Sequence, residues 1–127
     1  MWRKKSLNIP VELQSYVTFT GHVQLSDLAS IMGSAFALVY PPYFEGFGIP
    51  LVEAMKSGIP IVSSDRTCLP EIAGPAAIYF DPYDIDKIAD QMMRITQDSA
   101  LRKELLYEGE ERVKYFTWDR TAEKTWQ

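Results

Sequence analysis

Short apolar runs alternate along this chain with stretches in which apolar residues recur every three or four positions. Tyr16-Val17-Thr18-Phe19-Thr20 is β-branched and aromatic and stops at Gly21, which predicts a strand. Leu28, Ile31, Met32 and Ala35 fall at i, i+3, i+4 and i+7, one face of a helix. Phe36-Ala37-Leu38-Val39-Tyr40 is continuously apolar and is halted by Pro41-Pro42. A strand without polar alternation is buried on both faces, as in a parallel sheet. Pro50, Leu51, Val52, Ala54 and Met55 open and fill a helix that Gly58 and Pro60 close.

The second half continues in the same way. Ile59–Ser64 predicts a third strand, Leu69–Ala73 a single-turn helix between Pro70 and Gly74, and Ala76–Phe80 a fourth strand ended by Asp81-Pro82. Ile85, Ile88, Ala89, Met92 and Ile95 mark a long helix. Ser99 is the expected N-cap of the next, with Leu101, Leu105, Arg112 or Val113, and Phe116 along one side. Gly109 interrupts that helix and signals either a close helix–sheet approach or a local bend. Thr117 caps a last helix in which Trp118, Ala122 and Trp126 recur. Strands joined by helical crossovers give an α/β, Rossmann-like domain with a parallel sheet and flanking helices. Ligands of such sheets bind outside the carboxyl ends of the strands. That rule selects His22, the stretch 41–48 and the stretch 64–70 as site loops.

Composition narrows the classes. The 127 residues are 46% hydrophobic and 24% charged, so the chain is globular rather than disordered. Thirteen Lys+Arg against seventeen Asp+Glu leave a net charge of −4, which argues against nucleic acid as a partner. The apolar runs fall far short of the roughly 20 residues a membrane span needs. The basic start Arg3-Lys4-Lys5 is not followed by the apolar stretch of a signal peptide. One cysteine, Cys68, and one histidine, His22, support neither a disulfide framework nor a His/Cys metal site, and suit a cytoplasmic compartment.

The chemistry concentrates in Phe44-Glu45-Gly46-Phe47-Gly48-Ile49-Pro50-Leu51-Val52-Glu53-Ala54-Met55, from a strand end through a glycine loop into a helix start. Gly46 and Gly48 let a ligand approach the backbone. Amides near Gly48, Ile49 and Leu51 are expected to point out of the helix N-terminus, where they would hold a phosphate. Glu45 and Glu53, with seven residues between them, would repel that phosphate but accept hydrogen bonds from hydroxyls on either side of it. A charged acceptor on a sugar hydroxyl contributes roughly 1.5–3 kcal/mol. Phosphate in the middle and sugar hydroxyls at both ends describe a sugar nucleotide. His22 as a general base, Cys68 as a nucleophile and Arg66 as a phosphate contact are secondary expectations; each is read first as an ordinary loop residue.

The run from Glu45 through Val62 resembles the donor-site signature of the retaining glycosyltransferases of family 4, also called group 1. Val17–Val23, Leu69–Gly74 and Phe116-Thr117-Trp118 resemble the flanking segments of that family, so the resemblance covers about residues 16 to 126. It implies the C-terminal half of a GT-B fold, two Rossmann-like domains facing a cleft. It assigns the donor sugar to Glu45, the catalytic residue, and the nucleotide ribose to Glu53. Backbone of Gly46, Phe47 and Gly48 and the turn with Ile49 and Leu51 would meet sugar and diphosphate, and the loop carrying His22 and Val23 the base. It implies a retained anomeric configuration, a nucleotide-diphospho-sugar as donor substrate, no resident metal or other cofactor, and a parent that can associate peripherally with a membrane.

Residues 1–15 carry no recognised family motif, so the family domain is expected over 16–127, without its first two strands, their diphosphate-binding cations and the N-terminal acceptor domain. The expected function is therefore the donor-binding part of a hexosyl-transferring enzyme, inactive by itself. Two alternatives remain: a non-catalytic α/β fragment that forms a homo-oligomer through an exposed sheet edge, and a sugar-nucleotide epimerase of the same architecture.

Overall fold

The computed structural model describes residues 7–125; the basic start at Arg3 and Trp126, the end of the expected tryptophan stripe, lie outside them. A parallel sheet of three strands forms the centre, in the order β1 (Leu38–Tyr40), β2 (Ile61–Ser64), β3 (Ala77–Phe80). Leu38 pairs with Ile61 and Tyr40 with Ser63, while Ile61 pairs with Ala77 and Ser64 with Phe80. The two crossovers are α2 (Ile49–Ser57) and α3 (Leu69–Ala73); α1 (Leu25–Ser34) precedes β1, and α4 (Ile85–Gln97), α5 (Ser99–Val113) and α6 (Trp118–Thr125) follow β3.

The period of two along each strand sorts the core into two layers. Ile61 and Ala77 face one side, where Leu51, Ala54 and Met55 of α2 and Leu69 and Ile72 of α3 cover them. Val62, Ile78 and Phe80 face the other, against Ile95 of α4 and Leu105 of α5. Both faces are covered, as continuous apolar strands require. Each fully buried Leu or Ile contributes about 1.5–3 kcal/mol to such a core. β2 is buried throughout, including two serines whose hydroxyls are satisfied locally. Ser63 Oγ donates to the Ser64 carbonyl at 3.1 Å, and Ser64 Oγ accepts from the Arg66 amide at 3.2 Å.

Four sequence expectations are corrected. Tyr16–Thr20 is not a strand: Val11–Tyr16 is a 3-10 helix and residues 17–20 are irregular and exposed. Their β propensity is real, but a strand is stabilised by a neighbour, and no described strand pairs with them. β1 begins at Leu38 rather than Phe36, because the Phe36 carbonyl is taken by the Arg102 guanidinium at 2.6 Å. β2 begins at Ile61: the Ile59 amide still closes α2 by donating to the Ala54 carbonyl, and Pro60 has no amide to give. The N-cap of α5 is Asp98, whose Oδ1 accepts from the Leu101 amide at 2.9 Å, and Ser99 is the first helical residue.

Gly109 marks a close approach, but to helix α2 rather than to the sheet. It is buried, and a β-carbon there would meet Met55 Cγ of α2 at 3.6 Å. One turn on, Arg112 of α5 donates through Nε to the Ile72 carbonyl at 3.0 Å and through Nη2 to the Glu71 carbonyl. The side chain expected on a packing face thus ties α5 to α3.

A carboxylate held by the glycine loop

The candidate site lies where β1 hands over to α2. Tyr40 ends the strand, Pro41-Pro42 stops it, and residues 43–48 lead to the helix. Gly48 caps α2 in the left-handed region at φ 89°, and a β-carbon there would stand 2.7 Å from Leu69 Cδ2. Leu69 is fully buried, so glycine is required both by the backbone and by the space. Pro50 occupies the first turn, where an amide has no intrahelical acceptor.

Glu45 folds back onto this loop. The Tyr40 hydroxyl donates to Glu45 Oε2 at 2.5 Å, and the Gly46 amide donates to Oε1 at 3.1 Å. The amides of Phe47 and Gly48 add smaller stabilising contributions to the same carboxylate. The Tyr40 hydroxyl first, and these amides after it, hold the Glu45 carboxyl below the usual carboxylate range, against a partial burial that would raise it. Tyr40 responds in the opposite sense: burial, and then the neighbouring Glu45, push its hydroxyl up to about 12. From the start of α3, Cys68 Sγ donates to the Glu45 carbonyl at 3.4 Å. The arrangement is an ionised carboxylate with fixed direction, suited to accepting hydrogen bonds from neutral hydroxyls.

The amide cradle is only partly as expected. The Leu51 amide donates to the Gly48 carbonyl at 3.0 Å and its side chain is buried, so Leu51 does not present a free donor at the helix N-terminus. The Gly46 amide is already taken by the Glu45 carboxylate, and those of Phe47 and Gly48 lend it further stabilisation.

Glu53 has different surroundings. It is half-buried on α2 and lines a cleft of about 160 Å³ with Leu25, Leu28 and Met32 of α1 and with Lys56. His22 and Val23 lie in the loop entering α1, His22 exposed and Val23 half-buried. His22 has no hydrogen bond or ion pair among the described residues. The structure thus associates Glu53 and the His22 loop with the α1–α2 side, and Glu45 with β1 and α3. Phe47 and Ile49 turn a third way: the Phe47 ring meets Phe116 edge to face at 6.1 Å, in a cleft of about 480 Å³ that also holds Ile49, Tyr115 and Lys124.

Arg66 is committed elsewhere. Its Nη2 meets Asp81 Oδ2 at 2.6 Å and its Nε meets Asp65 Oδ1 at 3.2 Å. A guanidinium between two aspartates has little charge left for a diphosphate. Tyr40, which sequence reasoning did not select, proves central, and Cys68, weighed only as a nucleophile, instead donates to the Glu45 backbone. Tyr40 reads as the last apolar position of a strand; its one signal is a hydroxyl at the carboxyl end, where ligands of parallel sheets bind. Cys68 reaches Glu45 from 23 positions away, a contact local reading does not reveal.

The described helices include none long and apolar enough to cross a membrane. The family description "Glycosyl transferases group 1" matches residues 3–112, a span that takes in the segment before Tyr16 that motif reading leaves outside the resemblance. The chain is 35% identical over 112 residues to O-antigen chain mannosyltransferase B of Escherichia coli, covering 88% of this chain and 29% of that protein. It is 36% identical over 103 residues to the MMP alpha-(1->4)-mannosyltransferase of Mycolicibacterium hassiacum, covering 78% of this chain and 25% of that one. Among solved structures, a sucrose-phosphate synthase from Thermosynechococcus elongatus superimposes with a TM-score of 0.82 at 32% identity, over 91% of this chain and 30% of that one. The chain therefore spans less than a third of the length of each of these proteins. With the glycine loop, the two-sided parallel sheet and a family match over most of its length, the chain belongs to the group 1 glycosyltransferases.

Proposed function

We propose that this chain is the donor-binding part of a retaining glycosyltransferase that moves a hexosyl group from a nucleotide-diphospho-sugar to an acceptor. The observation that carries the reading is Glu45: an ionised carboxylate pinned at the carboxyl end of β1, beside a loop whose glycine opens a helix. In this reading Glu45 accepts from hydroxyls of the donor sugar and faces the positive charge that develops at the anomeric carbon. Glu53 accepts from the ribose, and the loop with His22 and Val23 borders the base. The amides of Gly46 to Gly48 serve sugar and diphosphate once the donor arrives. The names of the two bacterial relatives favour mannose as the transferred sugar and favour transfer over epimerisation. The reading calls on no resident metal, so chelators should leave donor binding unchanged.

A transition state with positive charge on the sugar and negative charge on the diphosphate needs donors aimed at both. Arg66 is held by aspartates, and the acceptor side belongs to the remainder of a longer enzyme. The chain by itself is therefore expected to bind donor without transferring it. Calorimetric titration of the chain with GDP-mannose, UDP-glucose and the corresponding nucleoside diphosphates tests this. One sugar nucleotide should bind more tightly than its diphosphate, Glu45→Ala should erase that difference, and Glu53→Ala should weaken both ligands alike. Equal affinity of every sugar nucleotide and its diphosphate would sink the assignment of Glu45 to the sugar.

A second reading rests on β1. As an end strand of the sheet it presents an edge to which no described strand is added. Association of two copies through that edge would make the chain a self-assembling module.

A further inference from the structure

We infer that Tyr40 is a positioning residue for the donor sugar, acting through Glu45: its hydroxyl fixes the direction of the Glu45 carboxylate and reserves one oxygen lone pair, leaving the outward ones for sugar hydroxyls. The inference rests on the donor-site reading and adds to it a residue outside the glycine signature.

Three features support it. First, Tyr40 is the better anchored partner. It is the last residue of β1, in register with Ser63 of the buried central strand, and its ring packs against the core formed by α2 and α3. Glu45 sits in a loop between a proline pair and a glycine and has no other side-chain donor among the described residues. The strand-anchored hydroxyl therefore orients the loop carboxylate rather than the reverse. Second, the hydroxyl stays protonated throughout the range in which a carboxylate titrates, since burial pushes it up to about 12. It is a permanent donor. Third, the contacts on Glu45 divide its oxygens: Oε2 is held by Tyr40 and Oε1 by the Gly46 amide, at 2.5 and 3.1 Å. The remaining titratable group beside the pair is Cys68, the N-cap of α3, which reaches the Glu45 carbonyl instead of the carboxylate. Tyr40 therefore supplies the one side-chain hydrogen bond to that carboxylate among the described residues. A carboxylate already ordered and charged need not lose rotamer freedom when the sugar binds.

The test uses Tyr40→Phe, which keeps the ring and its packing, on the whole chain, with the amide spectrum confirming the fold. In the variant, carboxyl NMR should show Glu45 titrating at higher pH than in the wild type. At neutral pH the sugar nucleotide chosen by calorimetry should bind roughly 3- to 10-fold more weakly, the effect of one net hydrogen bond. Its nucleoside diphosphate should bind unchanged. The loss should grow as pH falls into the Glu45 titration, and it should vanish in a Glu45→Gln background. An unmoved Glu45 titration, an unchanged preference for the sugar nucleotide, or an equal loss in the Glu45→Gln background would each overturn the inference. A wild-type chain that binds no sugar nucleotide would instead overturn the donor-site reading; the Glu45 titration would still decide whether Tyr40 controls that carboxylate.

Discussion

Leu69 occupies the space that a β-carbon on Gly48 would need, 2.7 Å from the site of that atom. The relationship joins the glycine loop to the start of α3, and it makes Gly48 the least tolerant of a side chain among the described glycines. Gly48→Ala meets two penalties. A left-handed backbone costs a non-glycine residue about 1–3 kcal/mol. The overlap with a fully buried leucine adds to it, because Leu69 has no solvent to retreat into. Urea unfolding should show a loss at or above that range. In a Leu69→Ala background the Gly48→Ala penalty should shrink to its backbone part; an undiminished penalty would mean that the steric contact is unimportant.

Gly109 gives the opposite sign. It too is buried, but a β-carbon there would meet Met55 Cγ at 3.6 Å, an ordinary contact, and its backbone is helical. Gly109→Ala should therefore raise stability by about 0.5–1 kcal/mol through helix propensity alone. Gly109→Leu should lower it by about 1–3 kcal/mol, since α2 leaves no room for four carbons. Thermal unfolding of the pair checks both signs, and a destabilised alanine variant would show that α5 and α2 approach more closely than described.

These two glycines show how far local reading reaches. Gly48 and Gly109 both stand out in the sequence, and the helices around them follow from the spacing of their apolar residues. Which glycine tolerates a methyl group depends on Leu69 and Met55, which come from other elements. The same division explains the strand expected over Tyr16–Thr20. Its residues prefer extended backbone, but pairing is a property of neighbours, and propensity without a partner leaves the segment irregular. At the candidate site, Glu45 and the glycines were legible because their residue types announce chemistry. Tyr40 was not, because an aromatic at a strand end ordinarily signifies packing, and the contact of Cys68 with Glu45 was not, because it joins residues 23 positions apart.

Acid should weaken the fold through Asp81 and Glu45. The Tyr83 amide first, and Arg66 after it, hold the Asp81 carboxyl below its usual range; the Tyr40 hydroxyl does so most strongly for Glu45. A carboxyl whose folded pKa lies below its unfolded one contributes stability above the unfolded value, about 3.9 for Asp and 4.3 for Glu. That contribution is lost as pH falls through the folded value. Melting temperature should therefore change little from these groups above about pH 5 and drop on the acid side. Asp81→Asn should lower stability at neutral pH and make the acid limb shallower. An acid limb of unchanged slope would mean that Asp81 is no better stabilised in the folded chain than in the unfolded one.

The edge of β1 makes the last expectation. Leu38 donates its amide to the Pro60 carbonyl, so in a parallel ladder the Val39 amide points away from β2. The segment Tyr16–Thr20, whose composition suits it for that place, does not pair there. All three residues of β1 are half-buried, against the fully buried β2, and Phe36 beside them is 53% exposed. An apolar edge with unpaired backbone groups is a template for another chain. The Arg102 guanidinium lies 3.8 Å from the Phe36 ring and shields the start of the strand, but it does not reach the Val39 amide. Two copies are therefore expected to associate through β1 at high concentration. Light scattering would register the dimer, and amide exchange would locate it. Protection at Val39 should rise with concentration while Leu38, already bonded to β2, stays protected throughout. A Val39 amide that exchanges fast at every concentration, in a strictly monomeric chain, would show that the edge stays open and that self-association is not how this surface is used.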